Sequence, residues 1–287
     1  MITQSSSHLR KEYLKQKRNR KLARYALFFL IFVFFLSLIS YLAHRPSIRI
    51  SKIELLGGVL ITEPDVSVKS LEYLQGSYLW LFPKNNVLLY PRAKLENYLK
   101  ETFKRILTID ISSKDFNILV IDITERKPVA LWCDEVPTYA GEAGSEPTTA
   151  NCYFMDSNGT IFTEAPQFSG DAYFKYYGLV ATSTPIGSHY IASSTEFIAV
   201  SDFIETARSL SLQPIHLIAK DGGEFSLVLA NGGQIYFDTK ESLTLAGQNL
   251  EALLRTPALS ATPPDKLPID YIDLRYGNKL FYKLRTQ

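Results

Sequence analysis

Between Ala26 and Ala43 the chain runs eighteen residues without a charge, mostly Phe, Leu and Ile, behind a leader holding eight basic residues and one acid. A helix of that length rises about 27 Å at ~1.5 Å per residue, close to the ~30 Å of a bilayer's hydrocarbon core, so the segment is long enough to cross. Arg10, Lys11, Lys15, Lys17, Arg18, Arg20, Lys21 and Arg24 precede it, whereas only His44, Arg45, Arg49 and Lys52 come closely after it. That asymmetry keeps the leader in the cytoplasm and sends the rest outside. Residues 1–24 are therefore read as a cytoplasmic basic tail and 25–44 as an uncleaved transmembrane signal anchor in the lipid bilayer. Ser40-Tyr41-Leu42-Ala43 offers small residues for cleavage, but a signal peptide has a shorter apolar core and leader than these.

Charge supports the same division. With the tail and Arg45 set aside, 22 of the 31 Lys and Arg remain against 28 of the 29 Asp and Glu. The small positive total is thus a topological signal, and the slightly acidic body argues against a nucleic-acid partner. The chain beyond the anchor is long enough for two modest domains, and its many aromatics suit packed cores.

Residues 48–126 form the first expected domain. Ile48 to Leu56 alternates as a strand and stops at Gly57-Gly58. Thr62 and Asp65 signal a helix start, with Pro64 tolerated in the first turn and the helix running to about Leu74. Tyr78, Leu79, Trp80, Leu81 and Phe82 then make an apolar loop or short strand that is expected to pack against something. Pro91 opens a second helix, with Leu95, Tyr98, Leu99 and Phe103 at helical spacing. Two strands close the unit, Ile106 to Ile111 and Phe116 to Glu125. In the second, Leu119, Ile121 and Ile123 face opposite to Phe116, Ile118, Val120 and Asp122.

Residues 127–287 read as a β-rich domain with two helices. Val129 to Cys133, Cys152 to Met155 and Thr160 to Phe162 are strands, the last two joined by a tight turn at Asn158-Gly159. Helices are expected at Thr195 to Leu210 and Glu241 to Leu254, and strands at Ile215 to Ile218, Phe225 to Leu229, Gln234 to Phe237, Ile269 to Arg275 and Lys279 to Leu284. Cys133 ends one strand and Cys152 begins the next. A hairpin register can therefore place them opposite each other as a disulfide; the competing reading is two unpaired buried thiols.

No catalytic, cofactor or metal motif stands out. The histidines at 8, 44, 189 and 216 are isolated, and with two cysteines they give no zinc spacing. Asp156 and Asn158 mimic the start of a calcium loop, but Gly159 comes at once and no closing Glu has the right offset. A binding role fits better, with no cofactor and no small-molecule substrate implied. Lys279-Leu280-Phe281-Tyr282-Lys283-Leu284 is a short aromatic last strand without proline, and such an edge can receive an extended partner segment by strand addition. The plainer alternative is an ordinary terminal strand packed in its own domain.

The wording of these elements resembles the FtsQ/DivIB family of bacterial cell-division proteins. The resemblance rests on the glycine-ended strand behind a signal anchor, the two helices and hairpin, Glu125-Arg126-Lys127-Pro128-Val129-Ala130-Leu131-Trp132, the turn Asp156-Ser157-Asn158-Gly159-Thr160-Ile161-Phe162, and Tyr271-Ile272-Asp273-Leu274-Arg275-Tyr276. The leucine-proline phrase that the family carries after the Phe162 region is replaced by Tyr173-Phe174-Lys175-Tyr176-Tyr177-Gly178, read here as a loop. The resemblance implies an α+β chain: one transmembrane helix, a POTRA domain of order β-α-α-β-β over 48–126, and an FtsQ-type β-domain over 127–287. It also implies a non-catalytic, single-pass scaffold at the division septum that recruits small coiled-coil proteins of the FtsB and FtsL type and touches other divisome membrane proteins. In that scheme Arg275 pairs with a partner carboxylate, Tyr276 covers an apolar contact, and Leu280, Phe281, Tyr282 and Lys283 receive a strand; the plainer alternative is an internal salt bridge for Arg275 and a core position for Tyr276. Arg275→Glu is then expected to weaken binding without lowering the melting temperature. The runner-up is a membrane-anchored receptor or envelope-assembly factor.

Overall fold

The computed structural model describes residues 4–135, 151–167, 172–178, 180, 184–220 and 222–285. Its contacts divide the chain into two compact units, Met1–Phe103 with Thr108–Thr124, and Lys104–Leu107 with Glu125–Gln287. The architecture is mixed α/β, with five α-helices and one large sheet among the described residues.

In the first unit, helix α1 (Gln4–Ala43) continues from the basic leader through the apolar run without a break. Its part Lys15–Ala43, with a mean hydropathy of 2.6, is long and apolar enough to cross a membrane. Strand β1 (Lys52–Leu56) is shorter than the alternating pattern predicts. Ile48 and Ile50 pair instead with the 85–87 segment, through Val87 N–H to Ile48 O at 3.0 Å and Ile50 N–H to Asn85 O at 2.7 Å. Gly57 ends the strand at φ +76°, and a Cβ there would lie 2.0 Å from the Ile123 carbonyl oxygen. Only glycine fits that position.

Helix α2 (Glu63–Tyr73) starts where Thr62 caps it: the Thr62 hydroxyl accepts from Asp65 N–H at 3.4 Å and donates to Asp65 Oδ2 at 2.6 Å. Strands β2 (Ser77–Tyr78) and β3 (Phe82–Pro83) make a small hairpin. Contrary to expectation, its tip does not pack, with Leu79 81% and Trp80 86% exposed. Helix α3 (Arg92–Thr102) buries Leu95 and Leu99 completely, and Tyr98 stacks on Tyr73 with ring centroids 4.6 Å apart. Strands β4 (Ile106–Lys114) and β5 (Ile118–Glu125) complete a sheet of order β1-β5-β4, in which β1 and β5 run parallel. Leu119, Ile121 and Ile123 face the core and Phe116 stays exposed, so the alternation read from sequence holds.

The second unit contains β6 (Ala130–Cys133), β7 (Cys152–Met155), β8 (Ile161–Glu164), β9 (Phe174–Tyr177), α4 (Ser194–Ser209), β10 (Pro214–Lys220), β11 (Glu224–Leu229), β12 (Gln234–Asp238), α5 (Leu243–Leu254), β13 (Ile269–Tyr276) and β14 (Lys279–Leu284). The strands form one nine-stranded sheet of order β14-β13-β12-β11-β10-β9-β6-β7-β8. Here the loop reading of Tyr173 to Gly178 is corrected: β9 lies inside the sheet, parallel to both β6 and β10. Its four residues are all aromatic or long, too few for a period to show, and its partners come from distant parts of the chain. Helices α4 and α5 intervene between the parallel pairs β9/β10 and β12/β13, as parallel strands require.

One sheet face packs with these helices. Phe197, Val200, Phe203, Ile204, Leu250 and Leu253 are buried there, with Phe203 and Phe237 ring centroids 4.6 Å apart. Ser193 and Ser242 cap α4 and α5 by accepting from Glu196 and Leu245 N–H groups. A smaller cluster of Leu131, Cys133 and Tyr177 is joined by Cys152, Phe154 and Ile218. Cys133 and Cys152 face each other in the β6/β7 register and are disulfide-bonded. The bond closes a loop of sequence separation 19. Cys133→Ser with Cys152→Ser should therefore lower unfolding free energy by about 3 kcal/mol in the chain-entropy account. Urea titration of the double variant beside the oxidised protein measures it; an unchanged midpoint would show that the bond constrains nothing the β6/β7 ladder does not already hold.

Candidate functional site

The two ends of the nine-stranded sheet are finished differently. At the β8 end the backbone of 187–190 lies alongside: Ile161 N–H donates to Ser188 O at 2.9 Å, Gly187 N–H to Ile161 O at 2.7 Å, and Tyr190 N–H to Gly159 O at 2.9 Å. That edge is blunted. At the opposite end, β14 pairs with β13 alone among the described residues. Leu280 and Leu284 turn toward the main core, while Tyr276, Phe281 and Tyr282 are 56%, 53% and 42% exposed. Tyr276 and Phe281 meet edge to face, their ring centroids 5.4 Å apart, a favoured geometry for an aromatic pair. Lys283 Nζ bonds Asp270 Oδ2 at 2.8 Å, and this pairing holds the lysine above its ordinary range. The six residues named for partner contact therefore lie together on one hairpin, with three aromatic rings open to solvent.

Arg275 is placed differently from the rest. Its Nε and Nη2 donate to Asp273 Oδ1 and Oδ2 at 2.9 and 2.6 Å, its Nη1 reaches Glu224 Oε2 at 2.6 Å, and its guanidinium lies 5.5 Å from the centre of the Tyr236 ring. The hydrogen bond with Asp273 is the largest cause that raises its basicity, with Glu224 adding to it. Burial opposes ionisation of Asp273, but the side-chain and backbone hydrogen bonds from Arg275 outweigh it and hold the carboxyl below its usual range. The fork that was expected to reach a partner carboxylate is engaged within its own sheet. Glu224 stands 51 residues away in sequence, beyond what a local phrase can signal.

The Asp156 turn is structural. Asp156 Oδ1 accepts from the N–H groups of Asn158 and Thr160, both at 2.9 Å, and its other oxygen pairs with Arg126, itself bonded to the Lys104 carbonyl. Gly159 has φ +77°, and a Cβ there would meet the Phe197 ring at 2.7 Å. These bonds leave no ligand cage at the turn. Among the described residues no group of three or more His, Cys, Asp or Glu side chains could hold a metal ion.

A cleft of about 660 Å³ lies between β9 and α4, lined by Tyr176, Phe197, Ser201, Asp202, Glu205 and Arg208 among others. Burial raises the Tyr176 phenol, which stands 3.5 Å from the Ser201 hydroxyl, and Arg208 pairs with Glu205. Among the described residues no histidine or cysteine reaches this lining. His216 is buried on β10, edge-on to Tyr177 at 5.3 Å, and burial, then the charge of Lys175, pushes it down to about 4. It is a neutral structural residue at physiological pH.

Both geometries are open to measurement. Asp273 is only 7% exposed, and removing the guanidinium leaves it without its cation. Arg275→Ala should therefore cost about 1–3 kcal/mol, which corrects the expectation that a change at Arg275 spares the melting temperature. A double-mutant cycle with Asp273→Asn in urea should return a coupling energy between the two; additivity would show that the pair is unimportant to the fold. For His216 the folded value of about 4 lies below the unfolded ~6.5, so its contribution is full above that pH and declines as pH falls toward the folded value. The loss is about 3 kcal/mol at most. The difference in stability between about pH 7.5 and about pH 4.5 should shrink in His216→Gln, and an identical difference would remove His216 as the cause.

No protein-family model and no curated protein matches the chain.

Proposed function

We propose that the chain is a non-catalytic, single-pass membrane scaffold of the bacterial divisome, of the FtsQ/DivIB kind, with its amino-terminal tail in the cytoplasm and both units outside. The observation that carries the reading is the β14 edge, unpaired among the described residues, and its exposed Tyr276, Phe281 and Tyr282, in a chain that also holds a helix able to span a bilayer. Support also comes from the order strand, helix, helix, strand, strand in the first unit, interrupted only by a small hairpin of two-residue strands; a POTRA domain has that order. Strand addition at β14 would give a partner main-chain hydrogen bonds, and the aromatic cluster would choose its side chains. The partners on this reading are small bitopic coiled-coil proteins of the FtsB and FtsL type, with other divisome membrane proteins nearby and the septum as the place of action. Arg275 then acts from behind the contact, tying β13 to β11 across β12 through Glu224 rather than reaching out.

The runner-up, an anchored receptor or envelope-assembly factor, is favoured by the cleft beside Tyr176 and Phe197. It predicts a small-molecule ligand that raises the melting temperature, which a scaffold does not require.

The test is affinity purification of the full chain from gently solubilised native membranes, comparing wild type with Tyr276→Glu/Phe281→Glu. Both side chains are exposed, so the double variant should keep its melting temperature. Recovery of small bitopic partners should fall at least about tenfold, as loss of two central aromatic anchors implies. Equal recovery from both proteins would move the contact off this edge. If crosslinked membranes return no bitopic partner even for wild type, the receptor reading takes its place.

A further inference from the structure

The first unit carries an apolar rim that its own core does not use. At the tip of the β2/β3 hairpin, Leu79 and Trp80 are 81% and 86% exposed, and in the next loop Leu88 and Leu89 are 73% and 43% exposed. The hairpin closes through Leu81 N–H to Tyr78 O at 3.0 Å, with Leu79 at φ +45° and Trp80 at φ +58°. Positive φ at both central positions is the tight turn that Asn-Gly fills without strain. Bulky Leu and Trp side by side in that conformation are held against local preference, and at the tip they make little contact with their own unit.

Both loops are fastened to the end of α1. The Ser40 hydroxyl donates to the Leu81 carbonyl at 2.6 Å, and the buried Asn86 amide donates to the Ala43 carbonyl at 2.9 Å while its Oδ1 accepts from Leu88 N–H at 2.9 Å. Ser40 belongs to the uncharged run and lies three residues before its last member. At ~1.5 Å per residue, Ser40, which holds the Leu81 carbonyl, sits about 4.5 Å to the bilayer side of the apolar segment's end. On the helix at this level Tyr41 is 61% exposed and carries the Arg45 guanidinium 5.2 Å from its ring centre. That pairing of an aromatic and a snorkelling cation suits a headgroup boundary.

From this continuity we infer that the Leu79-Trp80 tip, with Leu88 and Leu89, inserts into the outer interfacial layer of the same bilayer that α1 spans, making a second, shallow membrane attachment. The inference rests on the proposed spanning role of α1 and goes beyond it. Its occupant is lipid: the rim is apolar with a Trp at its tip, and it adjoins the span at the depth where an indole ring is most at home. The attachment fixes how the first unit stands on the membrane, since a helix end alone permits rotation and two points do not.

The chain has two tryptophans, and Trp132 is 6% exposed and donates to the Gly178 carbonyl, so fluorescence can isolate Trp80 by difference. The full chain is reconstituted into vesicles of phosphatidylcholine brominated near the headgroup end of its acyl chains, beside Trp80→Phe. Flotation in alkaline carbonate establishes in the same samples whether α1 is integral. The expected result is integral protein whose Trp80 share of the emission is blue-shifted and mostly quenched by bromolipid, with the remainder in Trp80→Phe unaffected. Integral protein with Trp80 open to iodide and insensitive to bromolipid overturns the inference while leaving the span intact, and would assign the rim to a protein contact. Protein released by carbonate overturns the span, and this attachment with it. A second variant guards against a purely structural role: Leu79→Asn/Trp80→Gly supplies the residues the turn prefers, so its melting temperature should equal or exceed that of wild type, and a lower one would overturn the inference.

Discussion

An open sheet cannot pair its last strand, and the second unit is arranged around that fact. Nine strands build a single hydrogen-bonded ladder in which, among the described residues, only the first and last have a side to spare. At β8 the spare side is taken up by the 187–190 backbone, at the cost of an excursion that Gly187 and Gly159 permit through positive φ. At β14 the described residues supply nothing comparable. Treating two ends of one ladder so differently is what gives the β14 end its interest, because an unpaired edge is a template for another strand.

The ladder's interior explains why such an edge can be kept. Core burial is concentrated on the face covered by α4 and α5, where Phe197, Phe203, Phe225 and Phe237 interlock. Opposite that face, a row of registered neighbours crosses the sheet from Ser226 to Tyr236 to Asp273 to Phe281. Asp273 is nearly buried within that row and is acceptable only because Arg275 supplies charge-assisted hydrogen bonds to both its oxygens. Arg275 in turn links β13 to Glu224 on β11, two strands away. The outermost pair is therefore braced on this face by a polar network, while Ile272, Leu274, Leu280 and Leu284 hold its other face to the core.

How much of this was legible in the sequence tracks the range of the interactions. Thr62 and Asp65 mark a helix start within four residues, Leu95 and Leu99 mark its neighbour's buried face, and Cys133 and Cys152 mark a hairpin register; each signal is local and each element stands where its residues place it. β9 was not legible, since Phe174 to Tyr177 become a strand only by lying between β6 and β10, and neither neighbour is adjacent in sequence. The exposed Leu79-Trp80 tip inverted its expectation for a different reason. Hydrophobicity says that a side chain avoids water, but it does not say whether protein or lipid replaces the water. The site residues divide likewise: Tyr276 and Phe281 are exposed as an edge reading requires, while the role of Arg275 depends on Glu224, which no phrase around Tyr276 contains.

An edge that stays open must also refuse most strands. β14 does not present a flat apolar ribbon: its pairing with β13 shifts register between Ile269 and Tyr271 and again between Asp273 and Tyr276, and such irregularities twist and bend an edge. Lys279 and Lys283 flank the aromatic positions, and Lys283 is steered toward Asp270 instead of lying along the strand. A second copy of β14 would set lysine near lysine, so self-pairing is disfavoured by charge. A partner strand that succeeds must match the bend, leave the lysines hydrated or bring acids to them, and seat an apolar side chain beside the Tyr276 and Phe281 rings. On the proposed reading those three conditions are jointly restrictive, and they are conditions on a single extended segment, which is how a short unpaired edge would choose its occupant.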